Sequence, residues 1–281
     1  MDPDRQLRIL ALRCTEVAQD IRDAQRALPS SAAALARIST CALLLGGMIK
    51  GREQVSIQIR HDGPLGELYA IADANGHVRA TVHQPFLHLP LDAEDFRLAG
   101  LVGNGTISVT RSLGLKEPQQ GTVPLVAGEI VQDLVHYFAM SEQKPTAMGA
   151  AERVTTESVS VAGGFLIQAF PDAPDSLLAQ VEQTLATMPS LVSLLEAGNS
   201  AQDLAQAIIP GAIVLEEVGV AFRCSCDRDR YQRILLTLGV DDLAEMAADE
   251  SGTELVCNYC NTAYQFSQTE IQALLEEARS Q

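Results

Sequence analysis

The chain has 281 residues, 47% of them apolar, and a formal net charge of −16 at pH 7. This length suggests about two domains of roughly 150 residues each, and the apolar content is enough for a buried core. The acidic charge argues against nucleic-acid binding, which needs a basic surface to displace phosphate counterions, and against attachment to an anionic membrane.

The amino-terminal sequence begins with acidic residues and does not develop the apolar run of a secretory signal. The longest uninterrupted apolar stretches, such as 41–45, are far shorter than the roughly 18 residues that span a bilayer. We therefore expect a cytoplasmic protein. In that reducing compartment, clustered cysteines more often bind a metal or sense redox state than form permanent disulfides.

The first part of the chain predicts helices and antiparallel strands. Residues 31–45 are rich in Ala and Leu and predict a helix that ends at Gly46-Gly47. Alternation of apolar and polar residues predicts a three-strand meander, and a further strand follows it. These four strands are expected within 55–60, 68–71, 78–82 and 103–111.

Residues 127–143 predict an amphipathic helix, because Ile130, Leu134 and Phe138 recur on one face. A hairpin is expected next, turning at Gly163-Gly164. Together these patterns predict an α+β domain over 1–171, built of an antiparallel sheet and helices.

The segment 172–222 differs in character, since the chain has no Lys or Arg from 154 to 222. It predicts short amphipathic helices separated by Pro and Gly, and Ser200 with Asp203 is typical of a helix start. Helices this short have little stability alone, so their apolar stripes must pack on another surface. Two readings remain open, an ordinary helical subdomain and a metastable linker whose release exposes apolar surface.

Four cysteines lie in the last part, 223–281. Cys224 and Cys226 form C-x-C, and after 30 intervening residues Cys257 and Cys260 form C-x-x-C. Two close pairs of thiolates are the usual way to supply a tetrahedral zinc ion, and four sulfur ligands leave no open position for catalysis. Nearby arginines, among them Arg228, are expected to make these thiolates more nucleophilic. The sequence therefore predicts a small C-terminal zinc-binding domain.

Other candidate sites are weaker. Cys14 and Cys41 lie alone in apolar stretches and are expected to be buried packing residues. His83 and His88 could ligate a metal, but such isolated histidines are more often structural. Since no nucleophile with a base and no nucleotide-binding motif is found, we do not expect an enzyme.

The cysteine pattern resembles that of the heat shock protein 33 family of redox-regulated chaperones. Three further segments agree with this resemblance, which runs through nearly the whole chain: VPLVAGEIVQDLVHYFAMSEQKPTA, AGGFLIQAFPDA and CNYCNTAYQFSQTEI.

The resemblance implies an ATP-independent holdase. In the reduced, inactive state Cys224, Cys226, Cys257 and Cys260 would bind one Zn²⁺ per chain. Oxidation would form the disulfides Cys224–Cys226 and Cys257–Cys260, release zinc and unfold the C-terminal domain together with the linker. The exposed apolar surface would then bind unfolding client proteins and prevent their aggregation, often in a homodimer.

An alternative function of another class is a zinc-ribbon interaction module on an α+β scaffold. In this interpretation zinc is purely structural and stays bound under mild oxidation. The sequence pattern is compatible with both interpretations.

Overall fold

The computed structural model describes residues 1–87, 97–112 and 117–280. The chain divides into two compact units, Met1–Arg223 and Cys224–Gln281. The structure confirms the α+β class expected from the sequence.

The first unit contains two sheets. The strands are β1 (Leu7–Arg13), β2 (Gln54–His61), β3 (Leu68–Asp73), β4 (His77–Val82), β5 (Gly105–Ser112), β6 (Gln119–Pro124), β7 (Thr146–Val154), β8 (Val159–Ala169) and β9 (Ala221–Phe222). One sheet has the order β6-β5-β2-β3-β4-β9, and the other has the order β1-β8-β7. The helices are α1 (Thr15–Gln25), α2 (Pro29–Gly46), α3 (Ala99–Val102), α4 (Val131–Tyr137), α5 (Asp175–Thr187), α6 (Leu191–Glu196) and α7 (Ala201–Ile208).

Helix α2 is the centre of this unit, because it packs on strands of both sheets. All of its residues are buried except Arg37, which is partly buried. In the described part of the chain it is the one helix long and apolar enough to cross a membrane. Almost all of it is buried inside the protein, which accounts for its apolar composition. The helix extends beyond the predicted 31–45, since Pro29 suits the first helical turn.

The predicted meander is confirmed. Strands β2, β3 and β4 pair antiparallel in sequence order, with Ile57 opposite Ala70 and Ala70 opposite Ala80. Strand β5 pairs with the other edge of β2, where Val109 lies opposite Ile57. The inward-facing residues of β2 are fully buried against the core, as their alternation predicts.

The predicted turn at Gly163-Gly164 is wrong, because β8 runs straight through both glycines. The hairpin turns earlier, where the N–H of Thr155 donates to the carbonyl oxygen of Ser158 at 2.8 Å. The glycines instead allow close packing: a Cβ at Gly163 would lie 2.7 Å from the carbonyl oxygen of Leu12 and 2.8 Å from the Leu195 side chain. A glycine pair in a strand can mark such an approach as well as a turn.

The helix predicted at 127–143 begins later, at Val131, and ends in a π-helical turn, Phe138–Glu142. The fully buried carboxylate of Asp133 accepts hydrogen bonds from the N–H groups of the preceding loop, which is therefore held outside the helix. The donors are Val126, Ala127, Gly128 and Ile130. Strand β1 and helix α1 were not predicted, and β1 pairs antiparallel with β8.

The three short helices expected in 172–222 are present as α5, α6 and α7, and they pack on the outer face of the three-stranded sheet. Val181 and Ile208 contact a cluster that includes Phe165 of β8. Leu195 and Leu204 are fully buried and form a second cluster with Val161 of β8. The predicted start of α7 is confirmed, since Ser200 and Asp203 form a capping box.

After α7 the chain makes a turn and then forms no helix or strand until β9 joins the larger sheet, and most residues of this stretch are exposed. Ile213, Val214, Leu215 and Val218 are exposed apolar residues of this stretch. Strand β9 has only two residues and pairs in parallel with β4. The end of the first unit is therefore held by few backbone hydrogen bonds, such as that from Ala221 N–H to the Gly76 carbonyl at 3.0 Å.

The second unit is small. Its elements are α8 (Arg228–Leu236), α9 (Val240–Ala248), β10 (Thr253–Val256), β11 (Ala263–Phe266) and α10 (Gln268–Ser280), and β10 pairs antiparallel with β11. Its buried core consists of Leu235, Leu243, Ala247, Phe266, Ile271, Leu274 and Leu275. Domains below about 70 residues commonly need a metal or disulfides in addition to such a core.

We expect Arg37→Met to destabilise the first unit by about 3–5 kcal/mol, because breaking a buried ion pair leaves an uncompensated charge. Arg37 lies 2.5 Å from Glu152, whose side chain is almost completely buried, and 2.7 Å from Glu129. Urea denaturation followed by circular dichroism measures the effect.

The matched control is Arg60→Met, since the Arg60 side chain is 69% exposed and lies 3.9 Å from Glu67. That change should cost about 0–1 kcal/mol. Equal losses for the two variants would contradict a stabilising role of the buried pair.

Candidate metal centre

Two loops of the second unit bring the four predicted cysteines together. Cys224 and Cys226 precede α8, and Cys257 and Cys260 lie in the turn between β10 and β11. The four sulfur atoms all lie within 4.8 Å of one another. The sulfurs of Cys224 and Cys257 are 3.5 Å apart, and those of Cys226 and Cys260 are 3.2 Å apart.

The turn between β10 and β11 positions the second cysteine pair. The N–H of Cys257 donates to the carbonyl oxygen of Thr262 at 2.9 Å, and the N–H of Asn261 donates to the carbonyl of Cys257 at 2.9 Å. Asn261 has a φ of 53°, a left-handed conformation that Asn tolerates better than most residues. The local sequence therefore forms a tight turn that brings both thiols into the cluster of four sulfurs.

This donor set fits a tetrahedral metal ion. A zinc ion with four sulfur ligands at about 2.3 Å separates the sulfurs by about 3.8 Å, close to the spacing seen here. In the described ranges, the four cysteines are the one group of His, Cys, Asp or Glu side chains that could hold a metal. Four sulfurs without a carboxylate or water position suit a structural zinc ion and not a catalytic one.

The thiols differ in acidity because their surroundings differ. Burial raises the pKa of Cys224 to about 12. Burial would raise the pKa of Cys257 too, but hydrogen bonds from the N–H groups of Tyr259 and Cys260 and from the Tyr231 hydroxyl lower it to about 6. The sulfurs of Cys224 and Cys257 lie within hydrogen-bonding distance of each other, and metal binding would remove the protons that the four thiols carry.

Arg228, one of the arginines expected to activate the thiolates, has other partners. Arg228 pairs with Glu270 at 2.6 Å, donates to the carbonyl of Gln265, and lies 4.4 Å from the centre of the Phe266 ring. Hydrogen bonds from Ser267 and then from Arg228 lower the pKa of Glu270 to about 2. Arg228 thus ties the start of α8, two residues after Cys226, to β11 and α10, which is a structural role.

Two tyrosines near the sulfurs were not predicted from the sequence. The Tyr264 hydroxyl donates to the Cys226 sulfur at 3.3 Å, and the Tyr231 hydroxyl bonds to Cys257. The signal available in the sequence was weak: each tyrosine follows a cysteine pair by four or five residues.

The remaining candidates lie elsewhere. Cys14 and Cys41 are buried in the core of the first unit, as expected, and the Cys14 sulfur lies 3.2 Å from the Thr40 hydroxyl. Burial raises the pKa of both thiols, that of Cys14 to about 12. His83 follows β4 and joins no group of potential ligands among the described residues, while His88 lies outside those residues.

These differences predict selective alkylation of the reduced, metal-free protein. At pH 7.5, well below the raised pKa of Cys14 and Cys41, iodoacetamide should modify Cys257 and the other three cysteines of the second unit before those two, which stay buried in the core of the first unit. Peptide mass spectrometry over time measures the order. Modification of Cys14 or Cys41 in the folded chain at the rate of Cys257 would contradict the assignment.

Comparison with known proteins agrees with this geometry. A family model described as "Hsp33 protein" matches residues 1–267. The 33 kDa chaperonin of Shouchella clausii is 36% identical over 99% of this chain and 96% of the relative. The 33 kDa chaperonin of Desulforamulus reducens is 36% identical over 97% of this chain and 94% of the relative.

A solved structure extends the agreement to the fold. The crystal structure of the 33 kDa chaperonin (heat shock protein 33 homolog) from Thermotoga maritima superimposes with a TM-score of 0.91 and 31% identity. The alignment covers 99% of this chain and 96% of that structure. Chaperones are not an enzyme class. The sequence, the fold and the cysteine cluster agree, and the chain belongs to the Hsp33 family of chaperones.

Proposed function

We propose that this chain is a redox-regulated, ATP-independent holdase whose switch is the four-cysteine cluster. The observation that carries the proposal is the approach of four sulfurs, from two separate loops, to within 4.8 Å of one another. In the reduced state Cys224, Cys226, Cys257 and Cys260 would hold one Zn²⁺, and the chaperone would be inactive.

The second unit would depend on this metal for its stability. Its core is small, and structural zinc in such modules contributes on the order of 10–16 kcal/mol of coupled folding and binding. That exceeds the stability of a typical domain. Loss of the four thiolates would therefore unfold the unit.

Oxidation removes the ligands in pairs. Two thiols of one pair lose two electrons and two protons and form an S–S bond, while a hydroperoxide accepts both and its O–O bond breaks to give water and an alcohol or a second water. The proposed products are the disulfides Cys224–Cys226 and Cys257–Cys260. With both formed, no thiolate remains to bind zinc.

The segment 172–222 would act as the linker that transmits this change. We propose that 1–171 is the core domain, 172–222 the metastable linker and 223–281 the redox-switch domain. Helices α5, α6 and α7 cover apolar residues of the three-stranded sheet, including Phe165 and Val161. Once the second unit unfolds, the linker would be anchored at its far end only by the two-residue strand β9.

Release of the linker would expose two apolar surfaces, the face of the three-stranded sheet and the faces of the helices that had covered it. Unfolding proteins present apolar segments that can bind there by the hydrophobic effect. We propose client proteins of this kind as partners, a homodimer as the active form, and the cytoplasm as the location. The net charge of −16 would help to keep such complexes soluble.

The first experiment compares reduced zinc-loaded protein with protein treated with hydrogen peroxide. We expect only the oxidised form to suppress thermal aggregation of a model client, with about four thiols lost for each zinc released. Zinc release is followed with a chromogenic chelator and thiols with a disulfide reagent. A Cys14→Ala/Cys41→Ala variant is the control and should behave like wild type.

Equal suppression of client aggregation by the reduced and the oxidised protein would contradict the redox switch. No suppression by either form would contradict the chaperone activity. Zinc that stays bound under peroxide, with the linker still protected from protease, would favour the alternative of a zinc-ribbon interaction module.

The second experiment tests the linker with Leu204→Ala. Leu204 is fully buried against the sheet, so truncating it should weaken linker docking by about 2–5 kcal/mol. We expect faster protease cleavage within 172–222 and partial holdase activity without oxidation. Leu215→Ala is the matched control, because Leu215 is 67% exposed, and it should leave both readouts unchanged.

A further inference from the structure

Two tyrosines connect the cysteine pairs crosswise. Tyr231 belongs to α8, which follows the first pair, yet its hydroxyl bonds to Cys257 of the second pair. Tyr264 belongs to β11, which follows the second pair, yet its hydroxyl donates to Cys226 of the first pair at 3.3 Å. Each phenol therefore reaches a sulfur that the opposite loop supplies.

The two rings also contact each other. Tyr231 and Tyr264 stack with ring centres 4.8 Å apart and an angle of 29° between their planes. Stacked aromatic rings hold each other in position beyond the effect of burial alone. A shift of one ring therefore disturbs the hydrogen bond made by the other, so the pair forms one unit between the two loops.

The phenols remain donors in this setting. The Tyr264 hydroxyl donates to the Cys226 sulfur at 3.3 Å, and a phenol, with an ordinary pKa of about 10, keeps its proton at neutral pH. A hydroxyl that donates to a thiolate sulfur stabilises its negative charge and occupies a lone pair. The hydrogen bond withdraws electron density from the sulfur and so weakens its attack on an oxidant, and groups that bond to metal ligands tune the ligands' chemistry in this way.

We propose that Tyr231 and Tyr264 are positioning residues that restrain oxidation, each at the cysteine pair opposite its own loop. This inference rests on the proposed redox function of the cluster. Tyr264 slows reaction of the pair Cys224 and Cys226, and Tyr231 slows reaction of the pair Cys257 and Cys260. Oxidation of one pair removes an acceptor, frees one phenol and loosens the stack, so the second pair reacts more readily.

The step that the tyrosines restrain is the first one. A thiolate attacks one oxygen of a hydroperoxide, an S–O bond forms, the O–O bond breaks, and the departing oxygen takes up a proton. The neighbouring thiol then attacks this sulfur and loses its proton, the S–S bond forms, and the S–O bond breaks to release water. Donation to Cys226 or Cys257 weakens the attacking sulfur in the first of these reactions.

The test uses the full-length, zinc-loaded chain with Tyr264→Phe or Tyr231→Phe, which remove one hydroxyl and keep the ring. Hydrogen peroxide is added, thiols are trapped by isotope-coded alkylation, and peptide mass spectrometry gives the initial rate for each pair. We expect Tyr264→Phe to speed oxidation of the first pair about two- to tenfold, the effect of one hydrogen bond, and Tyr231→Phe to speed that of the second. Tyr69→Phe, on β3 of the first unit, is the control and should change neither rate.

The crossed pattern separates this role from a merely structural one. Equal acceleration of both pairs by either variant, or no acceleration, would overturn the inference. Wild-type protein that loses neither thiols nor zinc under peroxide would instead overturn the proposed function. If a Phe variant fails to bind zinc, wild-type protein in which 3-fluorotyrosine replaces tyrosine is used in its place. The fluorinated phenols are more acidic and donate stronger hydrogen bonds, so both cysteine pairs should oxidise more slowly. An unchanged oxidation rate would overturn the inference.

Discussion

The convergence of four sulfurs within 4.8 Å is the constraint on which the second unit depends. Four ionised thiols cannot share so small a volume without a cation, because like charges at this distance repel strongly. The hydrophobic cluster of this unit has only seven buried residues, so its core is small. Under the proposed function, the stability of this unit would therefore depend on the chemical state of the four sulfurs.

Other contacts of the second unit assist the cluster but cannot replace it. Arg228 links the first cysteine loop to Glu270 and Phe266, and this pairing is exposed to solvent, where ion pairs contribute little. The stacked tyrosines link the two loops through the sulfurs themselves. Under the proposed function, oxidation of the sulfurs would remove the acceptors of the tyrosine hydroxyls, whereas the contacts of Arg228 involve no sulfur.

The first unit shows the opposite design. Helix α2 is buried between two sheets, and the ion pairs of Arg37 with Glu152 and Glu129 join it to β7 and to the loop before α4. The linker helices lie on top of this stable body, and Leu195 approaches β8 closely because Gly163 has no side chain. Under the proposed function, this arrangement would let the linker helices detach without unfolding the core.

The sequence by itself determined the local elements and the candidate ligands. Strict alternation predicted β2, β3 and β4, and the apolar stripes predicted α5, α6 and α7, because these patterns follow from the periods of strand and helix. The spacing of Cys224, Cys226, Cys257 and Cys260 was enough to predict a zinc site, since the two cysteines of each pair are close in sequence.

Only the tertiary structure decided the features that depend on distant neighbours. Gly163 and Gly164 looked like a turn, but packing of Leu12 and Leu195 placed them inside a strand. The start of α4 depends on Asp133 binding the loop before it, and the pairing of β5 with β2 depends on chain topology. Tyr231 and Tyr264 reach the sulfurs of opposite loops, which no local pattern encodes, because a crossed contact exists only after both loops have folded together.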